Sequence, residues 1–313
     1  MSNTHTDKLS RRGYAFVIMA ALLWGVSGSS AKFLFHSGVT PFQLVQLRLT
    51  IAVGALFCWL LFRSPSRLKI ARQDILYFAL FGTVGMGLCQ FTYLFAISRI
   101  HVAAAILLQY LAPSFIALYA VVFARERLSW PTIVALVGAT CGCYLVVGAY
   151  TLDLLTMNLA GILSGVLSAI TFAWYSIHGE YGMRRYNPWT VLFYALLFAG
   201  IVWNIFHPPL EAFRHNYRLL EWGWILYIGI FGTLLPFGLY LQGVNYIRAT
   251  RASITATLEP ITAGVVSYLF LNEIMGPLQI FGGILVIGSI ILLQIKQEYD
   301  AKAPALLRQA GKG

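Results

Sequence analysis

Charged side chains are scarce in this sequence of 313 residues. Only 11% of them are Asp, Glu, Lys or Arg, whereas 59% are hydrophobic; soluble globular proteins carry about 25% charged residues and about 45–50% apolar ones. A chain this apolar must cover most of its outer surface with lipid. Because a transmembrane helix needs about 20 mostly apolar residues, the length leaves room for about ten such helices and excludes a sizeable soluble domain.

Sequence motifs typical of enzymes are lacking as well. The chain contains no GxxxxGK[ST] phosphate-binding loop, no HExxH zinc motif and no clustered acidic pair that would hold a metal. The cysteines lie inside apolar runs without the spacing of metal ligands or of a redox CxxC motif, so we interpret them as small packing residues: Cys58, Cys89, Cys141 and Cys143. We therefore expect no catalytic residues, no metal, no cofactor and no direct use of ATP.

What the sequence does contain is a series of apolar runs separated by polar breaks. They predict an all-α integral membrane protein with ten transmembrane helices, at 13–35, 42–62, 74–98, 101–123, 132–149, 159–178, 189–206, 222–243, 249–271 and 277–295. We divide the chain into an N-terminal arm, a first five-helix unit, a linker, a second five-helix unit and a C-terminal tail: 1–12, 13–149, 150–158, 159–295 and 296–313.

The positions of the basic residues predict the orientation of these helices. If the N-terminus is inside, three basic residues fall in outside loops (Arg99, Arg214 and Arg218) and two within helices (Lys32 and Arg48). The other 17 fall in inside segments: Lys8, Arg11, Arg12, Arg63, Arg67, Lys69, Arg72, Arg125, Arg127, Arg184, Arg185, Arg248, Arg251, Lys296, Lys302, Arg308 and Lys312. The positive-inside rule then predicts an inner (plasma) membrane protein with both termini cytoplasmic. The net charge of +11 is thereby explained by basic inside segments that face anionic membrane lipid. We therefore expect no nucleic acid partner.

The second half of the chain repeats the first. A shift of 147 residues aligns identical residues without a gap: Gly82 with Gly229, Gly85 with Gly232, Leu88 with Leu235, Tyr93 with Tyr240, Ile100 with Ile247, Ala105 with Ala252, Leu111 with Leu258, Pro113 with Pro260 and Glu126 with Glu273. Because five helices is an odd number, the second repeat must enter the membrane from the opposite side. Inverted repeats are typical of secondary transporters; a duplicated scaffold without transport is the alternative.

Several short motifs carry a family resemblance: Leu23-Trp24-Gly25, Leu47-Arg48-Leu49, Leu111-Ala112-Pro113 and Leu258-Glu259-Pro260. With them the sequence resembles the drug/metabolite transporter superfamily, specifically its ten-helix EamA-type members, over about 13–295. The resemblance implies a central cavity bounded mainly by helices 1, 3, 4, 6, 8 and 9, and a small-molecule substrate. It does not specify which substrate.

Glu259 is the strongest candidate for chemistry within the membrane. A charge there costs a few kcal/mol and needs a reason. Pro260 follows directly and has no N–H, so the carbonyl of Ala256 loses its helical partner. A carboxyl beside a free carbonyl suits a proton or an organic cation, and our hypothesis is that Glu259 exchanges a proton with substrate. The alternative is a neutral side chain that stabilises the kink.

Further candidates lie on other helices. Pro113 predicts a second kink, close to Gln109 and Tyr110. Amides and phenols on helices 3 and 8 supply hydrogen-bonding groups, and aromatic rings deep in helices 1 and 6 suit cation–π contact with an amine. These remaining substrate-binding candidates are Gln90, Tyr93, Tyr240, Trp24, Trp174 and Tyr175. Packing in the protein interior is the alternative for each of them.

The remaining charged residues are interpreted mainly as structural. Lys32 and Arg48 lie near the outer ends of their helices and can snorkel to the interface; binding of a substrate carboxylate is the alternative. Glu126 and Glu273 would be gate or topology elements on opposite faces, and Glu180 is expected at a solvated helix end.

Together these observations predict a secondary active transporter that moves an amino acid, an amine or an amphiphilic cation by alternating access, with proton coupling as the working hypothesis. An intramembrane enzyme and a non-transporting receptor or channel are the alternatives. Either a monomer or a homodimer is compatible with two intact repeats.

Overall fold

The computed structural model describes residues 2–152, 157–206, 208, 210–271, 276–295 and 303–310, and the regular structure in these ranges is helical. Several predictions fall outside them: residues 153–156 of the linker, 296–302 and 311–313 of the tail, Glu273, and the side chain of Lys32.

The helices are α1 (Ser2–His36), α2 (Pro41–Arg63), α3 (Ile75–Leu80, Phe81–Leu88 and Cys89–Arg99), α4 (Val102–Gln109 and Ala112–Val122), α5 (Trp130–Val146), α6 (Leu159–Gly182), α7 (Pro188–Phe206), α8 (Leu219–Gly229, Ile230–Leu234 and 235–247), α9 (249–256 and Leu258–Leu271), α10 (Pro277–Ile295) and the short α11 (Pro304–Ala310).

Ten of these helices correspond to the ten predicted spans. Eight stretches of the described chain are long and apolar enough to cross a membrane, and Trp130–Val146 is a shorter apolar helix. One stretch, Leu219–Ala256, has 38 residues, which at 1.5 Å per residue is about twice the thickness of the hydrocarbon core. It is divided at Arg248, whose backbone is non-helical (φ 65°, ψ 168°), into α8 and the start of α9. The predicted all-α membrane fold with ten helices is confirmed. The described part of the predicted arm, from Ser2, is continuous with α1.

The two halves of the chain share their local irregularities. The π-helical segments Phe81–Leu88 and Ile230–Leu234 occupy equivalent positions in α3 and α8. Helix α4 is interrupted between Gln109 and Ala112, and α9 is interrupted at Thr257, again at equivalent positions. Helix α1 packs along α8, and α6 packs along α3. The two inverted five-helix repeats therefore share their bends as well as their helix order.

Glycines set the closest helix crossings, and these crossings repeat as well. A Cβ at Gly13 of α1 would lie 2.7 Å from Ile247, and a Cβ at Gly161 of α6 would lie 2.6 Å from Ile100, the repeat equivalent of Ile247. The peripheral helices α5 and α10 pack against each other. At their crossing, a Cβ on Gly282 would lie 2.7 Å from the carbonyl oxygen of Gly142. Small residues allow membrane helices to approach this closely, and packing of this kind replaces the hydrophobic effect inside lipid.

Gly282→Ala is expected to destabilise the protein by about 1–3 kcal/mol, because the new methyl group would meet backbone atoms that cannot move without separating α5 from α10. The measurement is the melting temperature of the detergent-purified protein. The matched control is Gly288→Ala on the same helix, where an added Cβ meets no atom within 4 Å. A melting temperature for Gly282→Ala equal to that of Gly288→Ala would contradict the assigned crossing.

Candidate functional site

A cavity lies at the centre of the bundle. It is bounded by α1, α3, α4, α6, α8 and α9, and also by α2. Six of the nine predicted substrate-binding residues line it: Trp24, Gln90, Tyr93, Gln109, Tyr110 and Glu259. The site is therefore assembled from both repeats, with α9 contributing the carboxyl group.

The other three predicted residues lie outside the cavity lining. Tyr175 and Tyr240 are fully buried in the packing between helices, and the hydroxyl of Tyr240 is hydrogen-bonded to Ser176 (2.7 Å). Trp174 is 37% exposed and stacks on His178. Phe172 lines the cavity, and a residue two positions later lies about 200° further round a helix. Trp174 accordingly faces away from the cavity.

The carboxyl group of Glu259 is held where α9 bends. Glu259 is only 8% exposed, and its carboxylate accepts a hydrogen bond from the hydroxyl of Tyr110 (2.7 Å). The same hydroxyl lies 2.9 Å from the carbonyl oxygen of Ala256, which is the oxygen that Pro260 deprives of its helical donor. The carboxyl, the phenol and the freed carbonyl thus meet at one point of the cavity wall.

Arg48, for which the sequence favoured snorkelling with binding of a substrate carboxylate as the alternative, is a cavity residue. It lies on α2, is 6% exposed and lines the cavity. Its Nε donates to the hydroxyl of Thr233 (2.8 Å) and its Nη2 donates to the carbonyl of Gly232 (3.0 Å). Pro236 has no N–H to offer that carbonyl. The guanidinium therefore points inward to a bent segment of α8 instead of snorkelling outward. Pro236 is a local signal for a carbonyl without a helical donor at Gly232, but it does not indicate which side chain donates to that carbonyl.

Tyr93 lines the same cavity as the two charged residues, Arg48 and Glu259. Its hydroxyl is buried and has no hydrogen-bond partner among the described residues. In the described part of the chain no ion pair joins Arg48 to an acidic residue. Among the described lining residues, the cavity thus contains one cation, one carboxyl group and one phenol whose hydroxyl has no hydrogen-bond partner in the described structure.

A group of aromatic rings forms one end of the cavity. The ring of Trp24 lies 5.0 Å from that of Phe237 and 6.1 Å from that of Phe172, measured between centroids. Tyr240 packs behind them, 5.7 Å from Trp24. We call Trp24, Phe172, Phe237 and Tyr240 the aromatic floor. It separates the cavity from the end of the bundle at which α8 turns into α9.

Beyond the floor, three charged residues bind one another at that end of the bundle. Arg248 donates to both carboxylate oxygens of Glu126 at 2.9 Å, and its Nε donates to Glu180 at 2.8 Å. Glu180 also accepts from the backbone N–H of Ala249 (2.8 Å). We call Arg248, Glu126 and Glu180 the ion cluster. The expectation that Glu180 is solvated was wrong: it is 6% exposed because the end of α6 packs against the α8–α9 junction.

At the opposite end of the bundle the described residues form a wide cleft of about 1650 Å³. Its walls are the end of α1, the turn from α3 to α4 and the connection from α5 to α6. Ile97 lines both this cleft and the cavity. The cavity is therefore adjacent to an open cleft on one side and closed by the aromatic floor and the ion cluster on the other.

Comparison with known proteins gives a consistent family assignment. The EamA-like transporter family model matches residues 11–148 and again residues 159–295. The uncharacterized inner membrane transporter YicL of Salmonella typhimurium is 27% identical over 94% of this chain and 99% of its own length. A pseudopaline exporter of Pseudomonas aeruginosa is 26% identical over 91% of this chain and 96% of its own.

Other relatives agree with these two. A riboflavin transporter of Fusobacterium nucleatum is 25% identical over 90% of this chain and 96% of its own. One solved crystal structure has the same fold, with a TM-score of 0.73 over 90% of this chain and 96% of the other at 19% identity. The resemblance stated from the motifs is confirmed. This chain belongs to the EamA-like transporter family and is a multi-pass membrane transporter, not an enzyme.

Proposed function

We propose that the protein is a secondary active transporter that binds a small organic metabolite with a cationic nitrogen at Glu259 and exchanges it for a proton during alternating access. The observation that carries this proposal is the buried carboxyl in the cavity wall, bonded to Tyr110 beside the carbonyl that Pro260 frees. The metabolite belongs to the amino acids, the amines or the amphiphilic cations.

The contacts of Tyr110 are compatible with both protonation states of Glu259. A phenol has one hydrogen to donate and an oxygen that accepts. When Glu259 is ionised, Tyr110 donates to the carboxylate. When Glu259 is protonated, the carboxyl donates to the phenol oxygen, and Tyr110 donates to Ala256, whose carbonyl oxygen lies 2.9 Å away. Proton uptake and release therefore require no large rearrangement of the wall.

Competition between a proton and the substrate cation follows from the cost of charge within the membrane. A carboxylate left without compensation in a cavity of low dielectric is unfavourable. Either a proton or a cationic nitrogen removes that cost, and both use the same oxygens. Binding of one therefore disfavours the other, which is the basis of exchange.

The distribution of basic residues supports an orientation for this cycle. The end of the bundle that holds the ion cluster is also the end toward which 17 of the 22 Lys and Arg residues fall. By the positive-inside rule that end is cytoplasmic, together with both termini, and the open cleft faces outward. A relative described as an inner membrane transporter supports the same membrane. Transport in either direction then requires the ion cluster and the aromatic floor to open inward.

A non-transporting receptor or a channel remains the alternative class. The inverted repeats, and a cavity that adjoins a cleft at one end of the described bundle, favour alternating access over a continuous pore. Both repeats lie within this chain and contribute to the cavity, so a monomer and a homodimer are both compatible with the proposed function.

Glu259→Gln is expected to reduce proton-gradient-driven flux by about tenfold or more, because a neutral amide cannot exchange a proton for a cation. The measurement is uptake of radiolabelled leucine and of radiolabelled phenethylamine by proteoliposomes under an imposed pH gradient. The control is Glu221→Gln, which alters a glutamate at the start of α8 that does not line the cavity. If proton-gradient-driven flux in Glu259→Gln equals that of the wild type, the carboxyl of Glu259 has only a structural role.

Arg248→Gln is expected to open the cytoplasmic end, because Glu126 and Glu180 would lose the cation that joins them. The reporter is a cysteine at Ser176, a fully buried position behind the aromatic floor, in a variant whose four native cysteines are replaced. We expect a membrane-impermeant maleimide to label it faster from the cytoplasmic side once Arg248 is changed.

The control for this prediction is Arg185→Gln, which removes an exposed cation paired with Asp74 at 3.4 Å. Exposed pairs of this kind contribute little to stability, so labelling should match that of the parent. Equal labelling rates in the Arg248 and Arg185 variants would show that the ion cluster does not close the cytoplasmic end.

A further inference from the structure

We infer that Arg48 and Tyr93 form a second, anion-binding subsite in the cavity, so that the substrate is a zwitterion whose carboxylate binds Arg48 while its cationic nitrogen binds Glu259. The inference rests on the proposed function for the role of Glu259, and it adds a binding site for the carboxylate of the substrate.

The guanidinium of Arg48 is fixed in place but not neutralised. Two of its three nitrogens are bonded to neutral acceptors, the hydroxyl of Thr233 and the carbonyl of Gly232. Among the described residues no acidic group pairs with it. An uncompensated arginine within a membrane is costly, and a planar guanidinium held from one edge leaves the other edge for a carboxylate.

Tyr93 supplies the second donor of this subsite. Its hydroxyl is buried without a hydrogen-bond partner in the described structure, although buried polar groups are nearly always bonded in folded proteins. The ring lines the same cavity as Arg48. In the inferred subsite, the carboxylate of a ligand accepts from Arg48 with one oxygen and from the hydroxyl of Tyr93 with the other.

The charge balance of the cavity favours a zwitterion over a simple cation. With Glu259 ionised, the described residues of the cavity lining include one positive and one negative side chain, Arg48 and Glu259, and a zwitterion compensates both. A lone amine would compensate Glu259 but would remain in a cavity of low dielectric with a like charge on Arg48. The rest of the lining includes Leu94, Ile97 and Ile228, which favours an apolar substituent between or beside the charged groups.

The test uses two matched sets of probes with the full-length purified protein. Each set contains a zwitterion, the same molecule without its carboxylate and the same molecule without its amine: leucine, isoamylamine and 4-methylpentanoate, then phenylalanine, phenethylamine and 3-phenylpropionate. Affinity is measured by ligand-dependent shifts in melting temperature, since a ligand that binds the folded state stabilises it by mass action. We expect at least one zwitterion to bind about tenfold or more tightly than both of its analogues.

Variants test which side chain binds the carboxylate of the ligand and which binds its amine. Arg48→Gln should remove the preference for the zwitterion over the amine, and Glu259→Gln should remove the preference for the zwitterion over the acid. Tyr93→Phe removes only an unbonded hydroxyl, so its melting temperature without ligand should not fall, while its affinity for the zwitterion drops. The matched control is Tyr175→Phe, because Tyr175 also has a buried hydroxyl without a partner in the described structure but does not line the cavity.

Amines that bind the wild type as tightly as their zwitterions would overturn the inference, and so would an unchanged zwitterion-to-amine ratio in both Arg48→Gln and Tyr93→Phe. Stabilisation by chloride or phosphate as strong as that by leucine and phenylalanine would also overturn it, since the subsite would then hold inorganic anions. Failure of the proposed function is distinguishable, because it would appear as tight zwitterion binding without proton-driven flux in proteoliposomes.

Discussion

Inside the hydrocarbon core of a membrane, a backbone carbonyl that has lost its helical donor has no water to replace it. Pro236 creates such a carbonyl at Gly232, and Pro260 creates another at Ala256, because proline has no N–H to donate. The donors that can replace the missing groups come from α2 and α4: Arg48 donates to Gly232, and the hydroxyl of Tyr110 donates to Ala256 when Glu259 is protonated. The bends that shape the cavity therefore also determine which polar side chains must face it, and one of these donors holds the carboxyl of Glu259.

The duplication explains the symmetry of the scaffold but not the charges in the site. Both repeats have a π-helical segment and an interrupted helix at equivalent positions, which creates a cavity between two similar halves. The shift that superposes the repeats brings Glu259 onto Ala112 and Arg48 onto Ala195. Each repeat thus contributes one charge of opposite sign. The opposite charges of the site therefore come from divergence after duplication, whereas the bends at equivalent positions come from the duplication itself.

How far the sequence predicts the site depends on whether a signal is local. Helix number, the proline bends and the position of Glu259 at one of these bends could be predicted, since each depends on residues close together in the chain. The pairing of Arg48 with α8 could not, because it joins positions 184 residues apart, and a charge near a helix end is as compatible with snorkelling as with burial. Trp174 and Glu180 show the same limit: the facing direction of one and the burial of the other depend on which helix packs alongside.

Three polar contacts of the interior share one property that bears on how binding is linked to movement. Arg48 bonds α2 to α8, Tyr110 bonds α4 to α9, and Arg248 bonds the α8–α9 junction to Glu126 at the end of α4. Every one of these contacts joins the first repeat to the second. A ligand shifts a conformational equilibrium only through contacts that differ between the states. A substrate that binds Glu259 competes directly with the bond to Tyr110, so occupancy of the cavity alters a contact that holds the two repeats together and thereby alters the balance between the two directions of opening.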